Sequence, residues 1–396
     1  MKEKLKSIIS NKIYILLVFL VFAIAASTLS LLNSKKSFTN DNRIYTHYNN
    51  YLIFKNSFFH LIEGKDLYKV YPEEQWDLYK YTPTFAVLFS VLAYTPDWLG
   101  LNLWNIINAL IILFAVYALP RLSDIQKGLV LIICLIELMT SMQNSQSNAL
   151  VAGCLILVFA MLERDNPLLA TFFLVFSVFV KLFGIAALVL FLFYPRKWKL
   201  ALFTLVWFIL FMALPLIFID FGQYKSLLGS YLNLLSADEL ESTGSPVVAW
   251  LHSWFGIIIK NLPMVITGLV LLLIPYLRLK NYSNYSFRLL NLASLLIWVI
   301  IFNHKAESPT FIIAMAGISL WFVITEKTIL NISLFILALI FTSLSPTDIF
   351  PDIIREDFVK PYALKGFLCI LVWGKMVFDM MFLKETTYRI DPFIKS

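Results

Sequence analysis

Charge is scarce in this chain: 14% of its 396 residues are Asp, Glu, Lys or Arg, against 60% hydrophobic residues. Soluble domains carry about 25% charged and roughly 45–50% apolar residues. A water-soluble globule cannot hide such an excess of apolar surface, whereas a bilayer can. The hydrophobic stretches are continuous rather than alternating, which excludes a β-barrel. They must be helical, because lipid cannot satisfy open backbone groups. Cysteine is also rare. Cys134, Cys154 and Cys369 all sit inside apolar runs, so neither a disulfide framework nor a metal site is implied. No basic block is long enough to suggest nucleic acid. The net charge of +7 comes from Lys and Arg at the ends of apolar runs, where such residues set topology. No internal repeat is visible, direct or inverted, which weighs against a transporter built from inverted halves.

What is there reads as an all-α polytopic membrane protein, one integral membrane domain over residues 1–396. The expected architecture is a bundle of about twelve transmembrane helices. Lys2, Lys4, Lys6 and Lys12 precede the apolar run Ile13–Leu32. Ala23-Ile24-Ala25 resembles a signal-peptidase site, but the run is long enough to span, so an uncleaved first helix is expected. Its basic start places the N-terminus in the cytoplasm. Residues 33–82 then form the first extracytoplasmic loop, where Tyr48, Tyr51, Leu52, Phe59 and Ile62 recur at roughly helical spacing. That pattern predicts an amphipathic interfacial helix. Pro83–Tyr94 is too short to span and is bracketed by prolines, which predicts a re-entrant or interfacial segment.

The later spans are expected near 98–119, 128–142, 147–162, 166–180, 183–194, 199–219, 262–278, 286–302, 309–325, 328–344 and 362–382. Residues 83–325 would form the core, and 326–396 the C-terminal helices and a cytoplasmic tail. With this parity most cytoplasmic turns are basic, as at Arg121–Lys127, Arg196–Lys199 and Arg278–Arg288. The expected location is the cell (inner) membrane, crossed many times, with both termini cytoplasmic. Three spans, 128–142, 166–180 and 183–194, are short for a hydrocarbon core of about 30 Å, which predicts an outward-opening cavity.

The same parity gathers five polar features on the outer side. They are the loop 33–82 with Asp41, Glu63, Asp66, Glu73, Glu74 and Asp77; the turn Gln143–Asn148; Lys181 between two apolar runs; Asn303-His304-Lys305-Ala306-Glu307; and the loop Asp220–Trp254. Lys181 either snorkels or answers an anion. Glu137 lies inside a predicted span, where a carboxylate calls for a partner. Lys375 and Asp379, four residues apart, are expected to pair with each other. A rim of this composition suits a lipid whose anionic head reaches the surface. A phosphate-linked donor needs a cation near its leaving oxygen, and an acceptor hydroxyl needs a carboxylate base.

Several segments also resemble a known family. These are Gly64-Lys65-Asp66-Leu67-Tyr68, Tyr81-Thr82-Pro83-Thr84-Phe85, Leu103-Trp104-Asn105-Ile106-Ile107-Asn108, Ser145-Gln146-Ser147-Asn148, Val180-Lys181 and Asn303-His304-Lys305-Ala306-Glu307. In order and spacing over residues ~40 to ~325 they resemble the GT-C class of polyprenol-phosphate-sugar-dependent glycosyltransferases, most closely family 87, the bacterial mannosyltransferase-like group. The resemblance implies a GT-C-like helical bundle whose first outer loop joins the active site. It implies transfer of a mannosyl or other hexosyl group, with inversion, from a polyprenyl-phosphate donor to a lipid or glycan acceptor. It also implies an Asp base some fifteen residues before Gly64, where this chain has Asn49 or Asn50, and an amide cannot serve as a base.

On this reading Asp66, Asp77 or Asp41 is the base. Lys181, His304 and Lys305 hold the donor phosphate; Asn50, Gln146 and Asn148 bind sugar hydroxyls; Glu307 and Glu137 complete the site. A divalent metal is possible but has no signature in the sequence. Two rival readings use the same residues: a lipid-linked-sugar flippase or transporter, and a scaffold or catalytically altered relative.

Overall fold

Hydrophobic periodicity and capping residues set the helices of the computed structural model, which describes residues 2–33, 36–38, 43–240 and 244–382. Helix α1 (Lys2–Ser10) leads into α2 (Lys12–Leu32), which is capped by the Asn11 side chain. A small antiparallel hairpin follows, β1 (Lys36–Phe38) with β2 (Arg43–Tyr45). It is the one departure from an all-helical chain among the described residues. Helix α3 (Asn49–Ile62) is the helix that the loop's spacing predicts, and it buries Tyr51, Phe54, Phe58 and Leu61. The expected re-entrant segment is two short helices, α4 (Pro83–Leu88) and α5 (Ser90–Ala93). Phe85 and Phe89 anchor them against Phe54, with ring centroids 5.2 and 5.5 Å apart.

The bundle continues with α6 (Asp97–Ala118), α7 (Asp124–Gln143), α8 (Asn148–Glu163) and α9 (Pro167–Val180), then a 3₁₀ helix over Leu182–Phe193. Next come α10 (Lys197–Ala213), α11 (Phe221–Leu240), α12 (Pro246–Phe255), α13 (Asn261–Leu273), α14 (Tyr285–Ile301) and α15 (Phe311–Ile324). The last are α16 (Ile329–Ala338), the short α17 (Asp352–Ile354) and α18 (Leu364–Phe382).

The core runs through α8, α14 and α15, which are buried on almost every side. Helices α14 and α15 approach so closely that a Cβ on Gly317 would sit 2.5 Å from the Ala293 carbonyl oxygen. Among the described residues, four segments are long and apolar enough to cross a membrane: Lys12–Leu32, Asp97–Ala118, Asp124–Gln143 and Lys197–Ile217. Seven more apolar helices are shorter, from 10 to 17 residues.

Two expectations need correction. The span placed at 128–142 is a full-length helix, because Ser123 and Gln126 form a reciprocal capping box that makes the polar segment Asp124–Lys127 its first turn. The loop placed at Asp220–Trp254 is largely helical. Tyr224, Leu227 and Tyr231 recur at three- and four-residue steps and form the buried stripe of α11.

At one end of the bundle, Lys12 pairs with Asp124 at 3.2 Å. At this end too, Arg288 grips Glu163 with two bonds of 2.5 and 2.8 Å, and Tyr285 donates to the Pro120 carbonyl. Lys375 and Asp379 pair as expected, at 2.5 Å. The turn after α7, the start of α8 and Lys181 meet at the opposite end.

Candidate active site

The turn between α7 and α8 is held from three directions. Ser145 adopts a left-handed backbone, φ 52°, and Gln146 N donates back to the Ser141 carbonyl at 3.0 Å. Trp104 Nε1 of α6 donates to Ser145 O at 2.9 Å, and Asn50 Nδ2 of α3 donates to Asn144 O at 2.8 Å. Ser30 Oγ of α2 donates to Gln143 O at 3.3 Å. With the backbone so fixed, Gln146 and Asn148 project toward Lys181.

Lys181 tops an unusually tight hairpin. Its own N–H closes α9 on Ser177 O at 2.8 Å, and the 3₁₀ helix begins at the next residue. Gly184 makes this closeness possible, since a Cβ there would lie 2.4 Å from Ser177 Oγ. The first loop docks beside it. Thr82 caps α4 and donates its hydroxyl to Phe179 O at 2.5 Å, which leaves Tyr81 under the lysine.

The ammonium of Lys181 donates to Asn148 Oδ1 at 2.6 Å and Gln146 Oε1 at 3.5 Å. It stands 5.6 Å from the Tyr81 ring centroid and 5.8 Å from that of Phe183. The Tyr81 hydroxyl donates to Gln146 Oε1 and accepts from Ser147 Oγ, at 3.4 and 3.3 Å. No carboxylate among the described residues forms an ion pair with Lys181. Burial lowers its pKa to about 8, and the charge of Glu307 pulls it back up. The Tyr81 phenol is pushed well up by burial, with Glu307 and Asp77 adding to the rise. The centre is therefore a buried cation held by neutral oxygens, with two carboxylates near enough to act on it or on its tyrosine. Asn148 Nδ2 is buried and unpartnered, a donor left over for a ligand.

The remaining expected site residues fall as follows. Asp66 accepts from Tyr68 N at 3.0 Å and from Ser230 Oγ of α11 at 2.9 Å, which ties the first loop to α11. Asp77 caps Leu78 N at 2.7 Å and meets Lys80 at 3.1 Å. Asn49 Oδ1 accepts from Trp76 N at 2.8 Å. Asp41 lies outside the described residues. His304 and Lys305 share the exposed loop that carries Glu307. Glu137 is fully buried and pairs with Lys365 Nζ at 3.2 Å, away from Lys181. Sequence reasoning missed Tyr81 and Ser147 as side chains of the centre, and Lys365 altogether. A lysine at the start of a span reads as snorkelling. Among the described residues no group of three or more His, Cys, Asp or Glu converges in a way that could hold a metal.

A model of glycosyltransferase family 87 matches residues 79–302, more than half of the chain. The matched stretch begins two residues before Tyr81, contains the turn and Lys181, and stops just short of Glu307. Comparison with curated proteins gives no match.

Proposed function

The chain belongs to glycosyltransferase family 87, and we propose that it moves a hexose, mannose being the first choice, from a polyprenyl-phosphate carrier to a lipid or glycan acceptor of the cell envelope. The reaction would run on the extracytoplasmic face of the cell (inner) membrane, with the Lys12–Asp124 end of the bundle in the cytoplasm. The observation that carries this reading is the Lys181 centre: a buried ammonium bonded to amide oxygens, beside an unpartnered amide donor.

A phosphodiester head replaces those neutral oxygens with anionic ones, which form stronger, charge-assisted bonds. As the sugar–phosphate bond breaks, negative charge grows on the departing phosphate, and a fixed ammonium there favours the transition state. Asn148 Nδ2 supplies a second donor, and Gln146 with the Tyr81 hydroxyl offers partners for sugar hydroxyls. The carrier's tail has an apolar path. The 3₁₀ helix exposes Leu182, Ile185 and Leu188 at its three-residue period, so one stripe leads away from Lys181.

For the base we favour Asp77. The charges of both Asp77 and Glu307 act on Tyr81, and that of Glu307 also acts on Lys181, so we assign Glu307 to the phosphate side. Inversion needs a base on the face away from the leaving group. Asp66 is tied through its second carboxylate oxygen to Ser230 of α11, whereas both partners of Asp77, Leu78 N and Lys80, lie within the first loop beside it.

The test uses purified protein in lipid with radiolabelled mannosyl and glucosyl polyprenyl phosphates and a crude lipid extract as acceptor. Wild type should give labelled product. Lys181→Ala should lose donor binding and product together, whereas Asp77→Asn should keep binding and lose product. No product with either donor, while donor is still bound, would favour the transporter or altered-relative reading.

A further inference from the structure

We propose that Lys365, paired with Glu137, is a positioning residue that fixes the Glu307 loop over the Lys181 centre. The observation is a chain of contacts joining three parts of the molecule. Lys365 begins α18, far along the sequence from the turn and the hairpin. Its Nζ donates to Ser308 Oγ at 2.7 Å and Ser308 O at 3.2 Å, next to Glu307. The same ammonium reaches Glu137 Oε1 of α7 at 3.2 Å and lies 4.7 Å from the Phe311 ring centroid. Its side chain is 16% exposed and that of Glu137 0%, so the ion pair is largely shielded from solvent. The Lys365 backbone is itself held, its carbonyl accepting from Thr342 Oγ1 at 3.0 Å.

A backbone carbonyl and a hydroxyl gripped by one buried ammonium leave Ser308 little freedom. Glu307, one residue earlier, is exposed; its carbonyl accepts from Thr310 N at 2.9 Å and Thr310 Oγ1 at 2.6 Å, so Thr310 and the Lys365 grip on Ser308 fix the loop together. The charge of Glu307 acts on both Lys181 and Tyr81. Lys181 is faced by Tyr81 from the first loop, by Gln146 and Asn148 from the turn, by Phe183 from its own hairpin and by Glu307 from this loop. Of these, Glu307 is the one carboxylate. Where the loop sits therefore sets how firmly Lys181 keeps its proton. The segment that makes the contact, α18, lies beyond the family-matched residues 79–302, so the C-terminal helices would tune a centre built by the matched part. The inference rests on the functional reading above only for what the centre then binds.

The test needs no donor. Lys181 is trace-labelled with acetic anhydride across neutral to alkaline pH in the full-length protein in lipid, and its labelling midpoint is read by mass spectrometry. Four proteins are compared with wild type: Glu307→Gln; the paired change Glu137→Gln with Lys365→Met, which leaves no lone buried charge; all three changes together; and Ser308→Ala. The midpoint should fall in Glu307→Gln and fall by a similar amount in the paired variant. The triple variant should go no lower, and Ser308→Ala should shift part of the way. An unchanged midpoint in the paired variant, or falls that simply add in the triple, would overturn the inference. If the paired variant fails to fold, Ser308→Ala decides: a wild-type midpoint there overturns it. Binding of mannosyl polyprenyl phosphate to the same wild-type preparation is measured in parallel, and its absence would count against the functional reading without touching the labelling result.

Discussion

Lys181 owes its character to what surrounds it. An ammonium bonded to two amide oxygens is solvated but not neutralised, and burial lowers its pKa to about 8. The sign of the pH effect follows. The charged form is the one that binds phosphate, so donor affinity should hold below that value and decline as pH rises through it. A titration of donor binding against pH checks this, and an affinity indifferent to alkaline pH would contradict it. Replacing Lys181 by Ala should weaken donor binding roughly 10- to 150-fold, the worth of one hydrogen bond to a charged group. Asn50 makes a different point. Its amide donates to Asn144 O at 2.8 Å, which a carboxylate cannot do. Asn50→Asp should therefore cost about 0.5–1.5 kcal/mol through a lost bond and a carboxylate facing a carbonyl. It should also add no turnover to that of wild type. A thermal melt and a transfer assay of the same preparation separate the two effects, and a gain in turnover would show that the chain has simply lost an aspartate base.

At the scale of elements, the hairpin between α9 and the 3₁₀ helix is the most exacting piece. Twelve residues in a 3₁₀ helix extend ~24 Å, against ~18 Å for an α-helix of the same length. A segment that looks too short to go far thus reaches deeper than its residue count suggests. The 2.4 Å approach at Gly184 sets the position of the apex. Gly184→Val should force α9 and the 3₁₀ helix apart, cost about 1–3 kcal/mol, and weaken donor binding by moving Lys181 from Asn148. Unchanged donor affinity in a folded Gly184→Val protein would show that the apex need not be tight. Helix α11 was legible only in part. Its Tyr224, Leu227 and Tyr231 stripe was present in the sequence, but two glycines and many polar residues made the segment read as a loop. The partner that turns that stripe into a packed face, Tyr68 with Tyr231 at 5.3 Å, comes from the distant first loop.

At the scale of the whole molecule, the two ends of the bundle do different work. The end opposite Lys181 is locked by Arg288 and Glu163, whose side chains are 11% and 3% exposed. Arg288→Met alone should destabilise the protein by about 3–5 kcal/mol, because it strands a buried carboxylate. Adding Glu163→Gln should recover much of that loss. Turnover per folded molecule should stay near wild type in the double variant, since neither residue touches the Lys181 centre. Denaturation in detergent together with the transfer assay tests both halves, and a fall in turnover without a fall in stability would tie the lock to catalysis.

The membrane class, the helical architecture and the placing of polar residues at one end follow from the sequence by itself. They depend on local quantities: apolar run length, the basic ends of those runs and capping residues such as Ser123. The short family segments add the glycosyltransferase assignment, which residues 79–302 bear out. Which polar residues converge was decided only in three dimensions. The Lys181 centre joins side chains from the first loop, the α7–α8 turn and the hairpin, and Glu137 meets Lys365 across 228 positions of sequence. Spacing along a chain carries no information about such pairs, because the forces that bring them together act between packed helices, not along them.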